Sequence, residues 1–424
     1  MSLFKILKNK SSRKRRVVIS GLGVVASNGI GKEEFWKANV AGVSGVSKIE
    51  NFDVSDLDSK IAAQIKDFNP LKYISKEVAR RTDRFVHLGL LANKLALEDS
   101  RLDLQKEDRY RIGVVIGSGL GGVLFHEEQI LAGYEKGVHR LNPLCVPRIS
   151  PNAIASHIAI ELGLNGPNLV ISTACASGTH AIGEAFRMIQ DDVANIIFTG
   201  GTEAPLTRFN FGAYCAMRVL SQKNNAPQEA SRPFDKKRDG FVMGEGAGCL
   251  VLEELGHARR RNAHIYAEII GYAANSGAHH MVMPLESGKD AAEAMAACIK
   301  NAGIKPEEVN YINAHGTSTQ ANDKAETRAI KEVFTEYAYK IPISSTKSMI
   351  GHAIGAAGAI EAVVCCLTIK NNLIPPTINY EYHDPDCDLD YVPNQARQAK
   401  VDIVLSNSFG FGSTNACILM RGYK

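Results

Sequence analysis

One cysteine and two histidines stand in sequence contexts that suit the making and breaking of a thioester. Cys175 lies in Ile171-Ser-Thr-Ala-Cys-Ala-Ser-Gly-Thr-His180, between the apolar run Leu169 to Ile171 and a stretch in which Ile182, Ala185, Phe186, Ile189 and Val193 recur at helical spacing. A thiol at such a strand-to-helix turn faces backbone N–H groups and the positive end of a helix dipole. Both are expected to favour the nucleophilic thiolate. His315 sits in Asn313-Ala-His-Gly-Thr-Ser-Thr319 and His352 in Lys347-Ser-Met-Ile-Gly-His352. One thiol and two glycine-flanked imidazoles form a set for acyl-thioester chemistry.

The elements that must position these groups alternate, as in an α/β protein. Strands are expected at 17–21, 112–116, 169–171, 196–199 and 248–252, with an amphipathic helix over 85–97. After the basic stretch 257–262 the theme restarts, with strands at 267–271, 309–313 (delivering His315), 341–344 (delivering Lys347) and 401–405. Helices are expected over 290–302 and 355–370. Two similar halves dividing near residue 265 fit this order, although identity between them is too low to prove a repeat.

Three other patterns point to different chemistry and are weaker. Gly117-Ser-Gly-Leu-Gly-Gly122 matches GxGxxG, but the acid expected some twenty residues on is missing, so a tight glycine turn lining a cleft is the better reading. Ser344-Ser-Thr-Lys347 matches the SxxK of serine acyl-enzymes without the SDN and KTG partners. The interval from Cys175 to His315 is close to that of papain-like proteases, but Ala174-Cys-Ala-Ser-Gly178 does not supply their cysteine context. No metal site is expected: His279 and His280 are adjacent, and no HExxH or CxxC spacing occurs.

Composition narrows the class. The chain has 424 residues, is 45% hydrophobic and 22% charged, and can bury a large core. No unbroken apolar stretch approaches the ~20 residues of a spanning helix. Nine irregularly placed cysteines suggest a reducing, cytoplasm-like compartment, with structural thiols at all positions but Cys175. Of 49 basic residues, seven fall in residues 1–16, which carry no acid; the remaining 42 face 45 acids, a net −3. Nucleic acid is therefore a poor partner for the body. The leader reads as a solvated tail, with a lipid-contacting segment or an organellar targeting remnant as alternatives.

TACASG around Cys175, NAHGTST around His315, SSTKSMIGHAIGAAG around His352 and NSFGFGSTN near the end occur in that order. Together they resemble the β-ketoacyl-[acyl carrier protein] synthases, the synthase II type of dissociated fatty acid synthesis in particular. The similarity runs from about Arg15 to Leu419 and includes Ser231-Arg-Pro-Phe-Asp-Lys-Lys-Arg-Asp-Gly-Phe241 and Pro375-Pro-Thr-Ile-Asn379. The resemblance implies a thiolase fold, five-layered αβαβα, built from two similar halves. These would be residues 15–265 with the nucleophile and 266–424 with both histidines, after a basic leader at 1–14. It further implies an acyltransferase that condenses acyl-Cys enzyme with malonyl-[acyl carrier protein] without a cofactor, an acyl carrier protein as partner and a homodimer. A polyketide-type ketosynthase on the same fold is the alternative.

Residue roles follow from the same resemblance. Cys175 holds the acyl chain, and its own N–H and that of Phe411, in the gating loop Gly410-Phe-Gly412, bind the oxyanion. His315 and His352 act as neutral donors to the enolate formed when malonyl loses CO2. Lys347 pairs with Glu361, a carboxylate within a helix apolar almost all round. Thr317 and Thr319 line the arm carrying the thioester, and Leu120 limits the acyl pocket. Lys76, Arg80 and Arg81, on one helix face, and Arg218 dock the acidic carrier. Two departures stand out: Glu77 replaces a more usual base, and Ser413 replaces a more usual glycine.

Overall fold

Val17, Val18, Ile19, Leu22, Val24 and Val25 are all withdrawn from water, and the strand they build, β1 (Val17–Ala26), stands in the middle of the main sheet. A strand apolar on both faces must be covered on both, and helical layers cover it. The structure, a computed structural model, describes residues 14–423, so the leader assigned to 1–14 lies outside them except for Lys14. Arg15 and Arg16 belong to the folded body, where they pair with Asp192 and Glu268.

The first half continues with β2 (Ile112–Gly117), β3 (Asn168–Ile171), β4 (Ile196–Glu203) and β5 (Gly246–Glu254). The second half supplies β6 (Ala267–Ser276), β7 (Tyr311–Asn313), β8 (Ile343–Ser344), β9 (Ile403–Gly410) and β10 (Thr414–Arg421). Along the sheet the first half reads β1-β5-β4-β2-β3 and the second β6-β10-β9-β7-β8. Adding five to each label converts one order into the other. Strand senses agree as well: β2 is parallel to β3 and β4 as β7 is to β8 and β9, and the remaining pairs within each half are antiparallel. The halves join where Val17–Ile19 of β1 pairs with 267–269 of β6. The two halves thus share a topology that residue identity does not display.

Helices complete the layers. On one outer side α1 (Arg84–Ser100) packs on β1 and β5, with α2 (Ala153–Leu162) beside it. In the middle lie α3 (Ser177–Gln190) and, C-terminal in the chain, the helix Ala357–Asn371; each touches the other and strands of both halves. On the far side α4 (Lys289–Ala302) packs on β6 and β10, with α5 (Gln320–Phe334) against it. Numbering Ala357–Asn371 as α6, the order is α1/α2, first half-sheet, α3/α6, second half-sheet, α4/α5. The fold is the five-layered αβαβα thiolase fold. Ile354–Asn371 is apolar and long enough to cross a membrane, but it forms the core of this stack.

The two central helices cross at glycines. A Cβ on Gly178, second residue of α3, would lie 2.9 Å from the amide nitrogen of Ala359; one on Gly358, second residue of α6, would lie 2.0 Å from Thr179 Oγ1. Only glycine lets the helix N-termini approach so closely, and that approach brings the segments preceding them together.

Candidate active site

Cys175 occupies the connection from β3 to α3, and a dense set of bonds fixes it. Ser177 Oγ donates to Ala174 O at 2.7 Å and accepts from the Thr173 amide at 2.9 Å, while the Ala176 amide donates to Thr173 O at 3.1 Å. Ala174 is held at φ 49°, a left-handed conformation that costs a non-glycine residue on the order of 1 kcal/mol or more. The amides of Cys175 itself and of Phe411 lie near enough to the sulfur to favour its anion. Two donors at one point form an oxyanion hole for whatever carbonyl the sulfur attacks.

The depth of Cys175 works against the expected resident thiolate. Burial pushes the Cys175 thiol up to about 11; the nearby charge of Lys347 and the two amides pull it back only in part. The helix terminus was visible in sequence, but the depth of burial was not. Alkylation of Cys175 by iodoacetamide should therefore climb about tenfold per pH unit up to roughly pH 10, as thiolate forms. A rate already flat at pH 7, measured by mass spectrometry of the Cys175 peptide, would contradict this.

His315 follows β7, and its backbone is gripped from behind. The amides of His315 and Gly316 each donate at 2.8 Å to the buried Glu326 carboxylate on α5, which also accepts from Asn407 Nδ2 at 3.2 Å. Lys347 is almost fully buried, and its ammonium group uses all three protons. It pairs with Glu361, donates to His315 O at 2.7 Å and lies 3.5 Å from His315 Nδ1. Burial first, then the charge of Lys347, holds His315 far below the usual imidazole range. The ring is neutral, and with Nδ1 turned to the ammonium its proton sits on Nε2. Burial raises Glu361 to about 7 against the pull of Lys347.

His352 is fixed by its backbone: its amide donates to Val242 O at 2.7 Å and its carbonyl accepts from Gly244 at 2.9 Å. Neither ring nitrogen has a partner among the described residues. Burial and the Lys347 charge keep this ring neutral too. The two imidazoles meet edge to face at 5.4 Å.

Cys175, His315 and His352 line one cavity of about 290 Å³. Thr317, Thr319, Gly410, Phe411 and Arg218 line it as well, whereas Lys347 and Glu361 stand behind the histidines. Gly412 is not on the wall; its amide is bound to Met281 O at 2.8 Å. Ser413 adopts φ 58° and donates to His280 O at 3.0 Å, tying the 410–413 loop to its neighbour.

Leu120 does not line the cavity, contrary to expectation, and neither does the Gly117–Gly122 turn. The Glu203 carboxylate draws the Gly119 and Leu120 amides to itself, and Ile354 forms the wall there. Lys76, Arg80 and Arg81 are exposed on the helix Lys76–Arg81, away from the cavity wall. Glu77 is bound to Arg81 at 2.9 Å, so one expected docking charge is already engaged. All nine cysteines are unpaired.

The chain matches the family model "Beta-ketoacyl synthase, N-terminal domain" over residues 14–258 and "Beta-ketoacyl synthase, C-terminal domain" over 266–381. It is 47% identical to 3-oxoacyl-[acyl-carrier-protein] synthase 2 of Coxiella burnetii, covering 96% of this chain and 98% of that protein. It is 45% identical to the protein of the same name from Synechocystis, covering 97% and 99%. Among solved structures it resembles a beta-ketoacyl synthase from Burkholderia phymatum, with TM-score 0.90, 34% identity and coverage of 97% and 100%. It also resembles the ketosynthase of a type II polyketide acyl-carrier-protein complex, with TM-score 0.89, 38% identity and coverage of 97% and 100%. With a thiol under paired amides facing two neutral imidazoles, on a fold and a sequence shared along nearly its whole length, the chain belongs to the beta-ketoacyl synthase family.

Proposed function

We infer that this chain is a 3-oxoacyl-[acyl-carrier-protein] synthase, an acyltransferase that lengthens fatty acyl chains by decarboxylative condensation. The observation that carries this is the meeting of Cys175, His315 and His352 in one cavity. Identities of 43–47% to synthase 2 relatives favour it over the polyketide-type alternative, whose neighbour stands at 38%.

The geometry supports the following sequence. Cys175 Sγ adds to the acyl–carrier carbonyl, and the oxyanion forms between the Cys175 and Phe411 amides. The bond to the carrier sulfur breaks, and the carrier leaves as a thiol. Because Cys175 rests as a thiol, its proton must move during attack; His352, with both ring nitrogens free, takes it on its lone pair and passes it to the departing carrier sulfur, which returns the ring to neutral. Malonyl–carrier then loses CO2, and the electron pair of the broken C–C bond passes to the thioester oxygen as an enolate. Nε2–H of His315 and an N–H of His352 meet that charge as it develops, which lowers the barrier rather than binding the ground state. The enolate carbon attacks acyl-Cys175, the C–S bond breaks, and the departing sulfur takes one proton from solvent, the one proton that the condensation consumes. The products are 3-oxoacyl–carrier and CO2.

Thr317 and Thr319, at 3.0 Å from each other, stand on the wall along the thioester's path, and Arg218 stands exposed at its rim. Lys76, Arg80 and Arg81 present positive charge to an acidic carrier. A homodimer is supported by the exposed edge strand β3 with Leu169 uncovered, alongside exposed Ile130, Tyr134, Val146 and Ile160. The compartment we propose is the cytoplasm, where a catalytic thiol stays reduced.

Mass analysis of the intact protein after incubation with acyl carrier should show one acyl group, on Cys175. In the Arg80→Glu/Arg81→Glu variant the carrier-dependent KM should rise about tenfold or more with kcat kept. An acyl group on another residue would refute the reading, and an unchanged KM would move the docking site elsewhere.

A further inference from the structure

Glu203 ends β4 as a fully buried carboxylate, and no cation pairs with it among the described residues. Four donors hold it instead. Ser118 Oγ and the Leu120 amide reach Oε1 at 3.1 Å each. The Gly119 and Gly355 amides reach Oε2 at 2.6 and 3.0 Å. These donors come from two separate segments, the turn after β2 and the approach to α6.

Both glycines are required by that oxygen: a Cβ would stand 2.9 Å from Oε2 at Gly119 and 2.5 Å at Gly355. Gly355 directly follows Ile354, which is held at φ 45°, a conformation costly for a β-branched residue. Ile354 lines the cavity with Cys175, and its Cγ2 would lie 3.4 Å from a Cβ on Gly119. Glu203 therefore holds both the backbone of Ile354 and the turn against which its side chain leans. Neither acyl transfer nor decarboxylation, as derived above, uses this carboxylate.

We propose that Glu203 is a positioning residue for acyl-chain choice: it pins Ile354 against the Gly119–Leu120 turn and so fixes the wall at which the acyl chain stops. The proposal rests on the condensing-enzyme reading. A glutamine cannot replace the carboxylate, because its NH2 would face N–H donors and half of the acceptor capacity would be lost.

The test is steady-state condensation by the full chain with a short and a long saturated acyl carrier. Glu203→Gln should raise the long-to-short ratio of kcat/KM about tenfold, the scale on which pockets discriminate by chain atoms. Ile354→Ala, which removes the wall directly, should move the ratio the same way. Adding Glu203→Gln to Ile354→Ala should then change it by no more than about twofold, since both act at one point. Equal losses for both chains, or a second full shift in the double variant, overturn the proposal. Should Glu203→Gln fail to fold, Ser118→Ala removes one donor of the four and should move the ratio about twofold to threefold in the same direction. An unmoved ratio there also overturns it. Wild-type protein that takes up neither chain sinks the condensing reading and this proposal together; an active wild type with unmoved variants sinks the proposal alone.

Discussion

Cys175→Ala should lower condensation by about 10⁴-fold or more, the scale seen when a covalent nucleophile is removed, while release of CO2 from malonyl–carrier persists. The two outcomes diverge because the groups responsible are separate. The sulfur sits near the Cys175 and Phe411 amides, whereas the enolate is met by His315, whose Nδ1 faces Lys347, and by His352, which Val242 and Gly244 hold through its backbone and not through the thiol. Removing the sulfur leaves those rings neutral and in place. Labelled CO2 release and product formation, measured side by side, decide the matter. Parallel loss of both would show that the thiol takes part in decarboxylation.

The second large effect is expected at Lys347. Lys347→Met leaves Glu361 buried without a cation, at a cost of about 3–5 kcal/mol in folding stability. It also strips His315 Nδ1 of the positive neighbour that fixes its tautomer. Decarboxylation should fall by about 10²-fold or more even in protein that remains folded. The double variant Lys347→Met/Glu361→Met separates the two consequences, since apolar replacement of a buried pair restores stability. Thermal unfolding should recover toward wild type, whereas decarboxylation should not. Recovery of both would reduce the pair to a stabilising role.

Much of the site was legible because its residues break their surroundings. A cysteine between a strand and a helix, and histidines beside glycines, stand out from apolar patterning. Glu361 stands out for the same reason: a carboxylate in an otherwise apolar helix demands a cation, and Lys347 answers. Glu203 stayed hidden because the strand preceding it reads as ending at Thr199, before Gly200-Gly201. In the structure β4 runs on through both glycines, as a Cβ on Gly200 would lie 2.0 Å from Gly248 O on the facing strand. Helix α5 and its Glu326 were missed likewise, since nothing in sequence shows that this carboxylate turns inward to the His315 and Gly316 amides.

Boundaries moved for physical reasons too. β1 runs to Ala26 rather than stopping near Gly21, because that glycine packs against the Ala96 carbonyl of α1 instead of breaking the strand. No period marks β10 in the sequence, because its apolar residues are buried on both faces. Val193 stands at helical spacing from Ile189 but lies beyond the end of α3 at Gln190 and is exposed. The ionisation of Cys175 and the position of Leu120 depend on depth and on a distant carboxylate, and a linear pattern encodes neither.

The reciprocal glycines at 178 and 358 form a pivot that admits no further atom. A methyl group at either position would wedge the halves apart exactly between the chemistry each contributes, Cys175 from one and the imidazoles from the other. Adaptation to a different acyl group is thereby channelled outward, into side chains such as Ile354 on the wall, while the axle on which the two lobes bear stays bare.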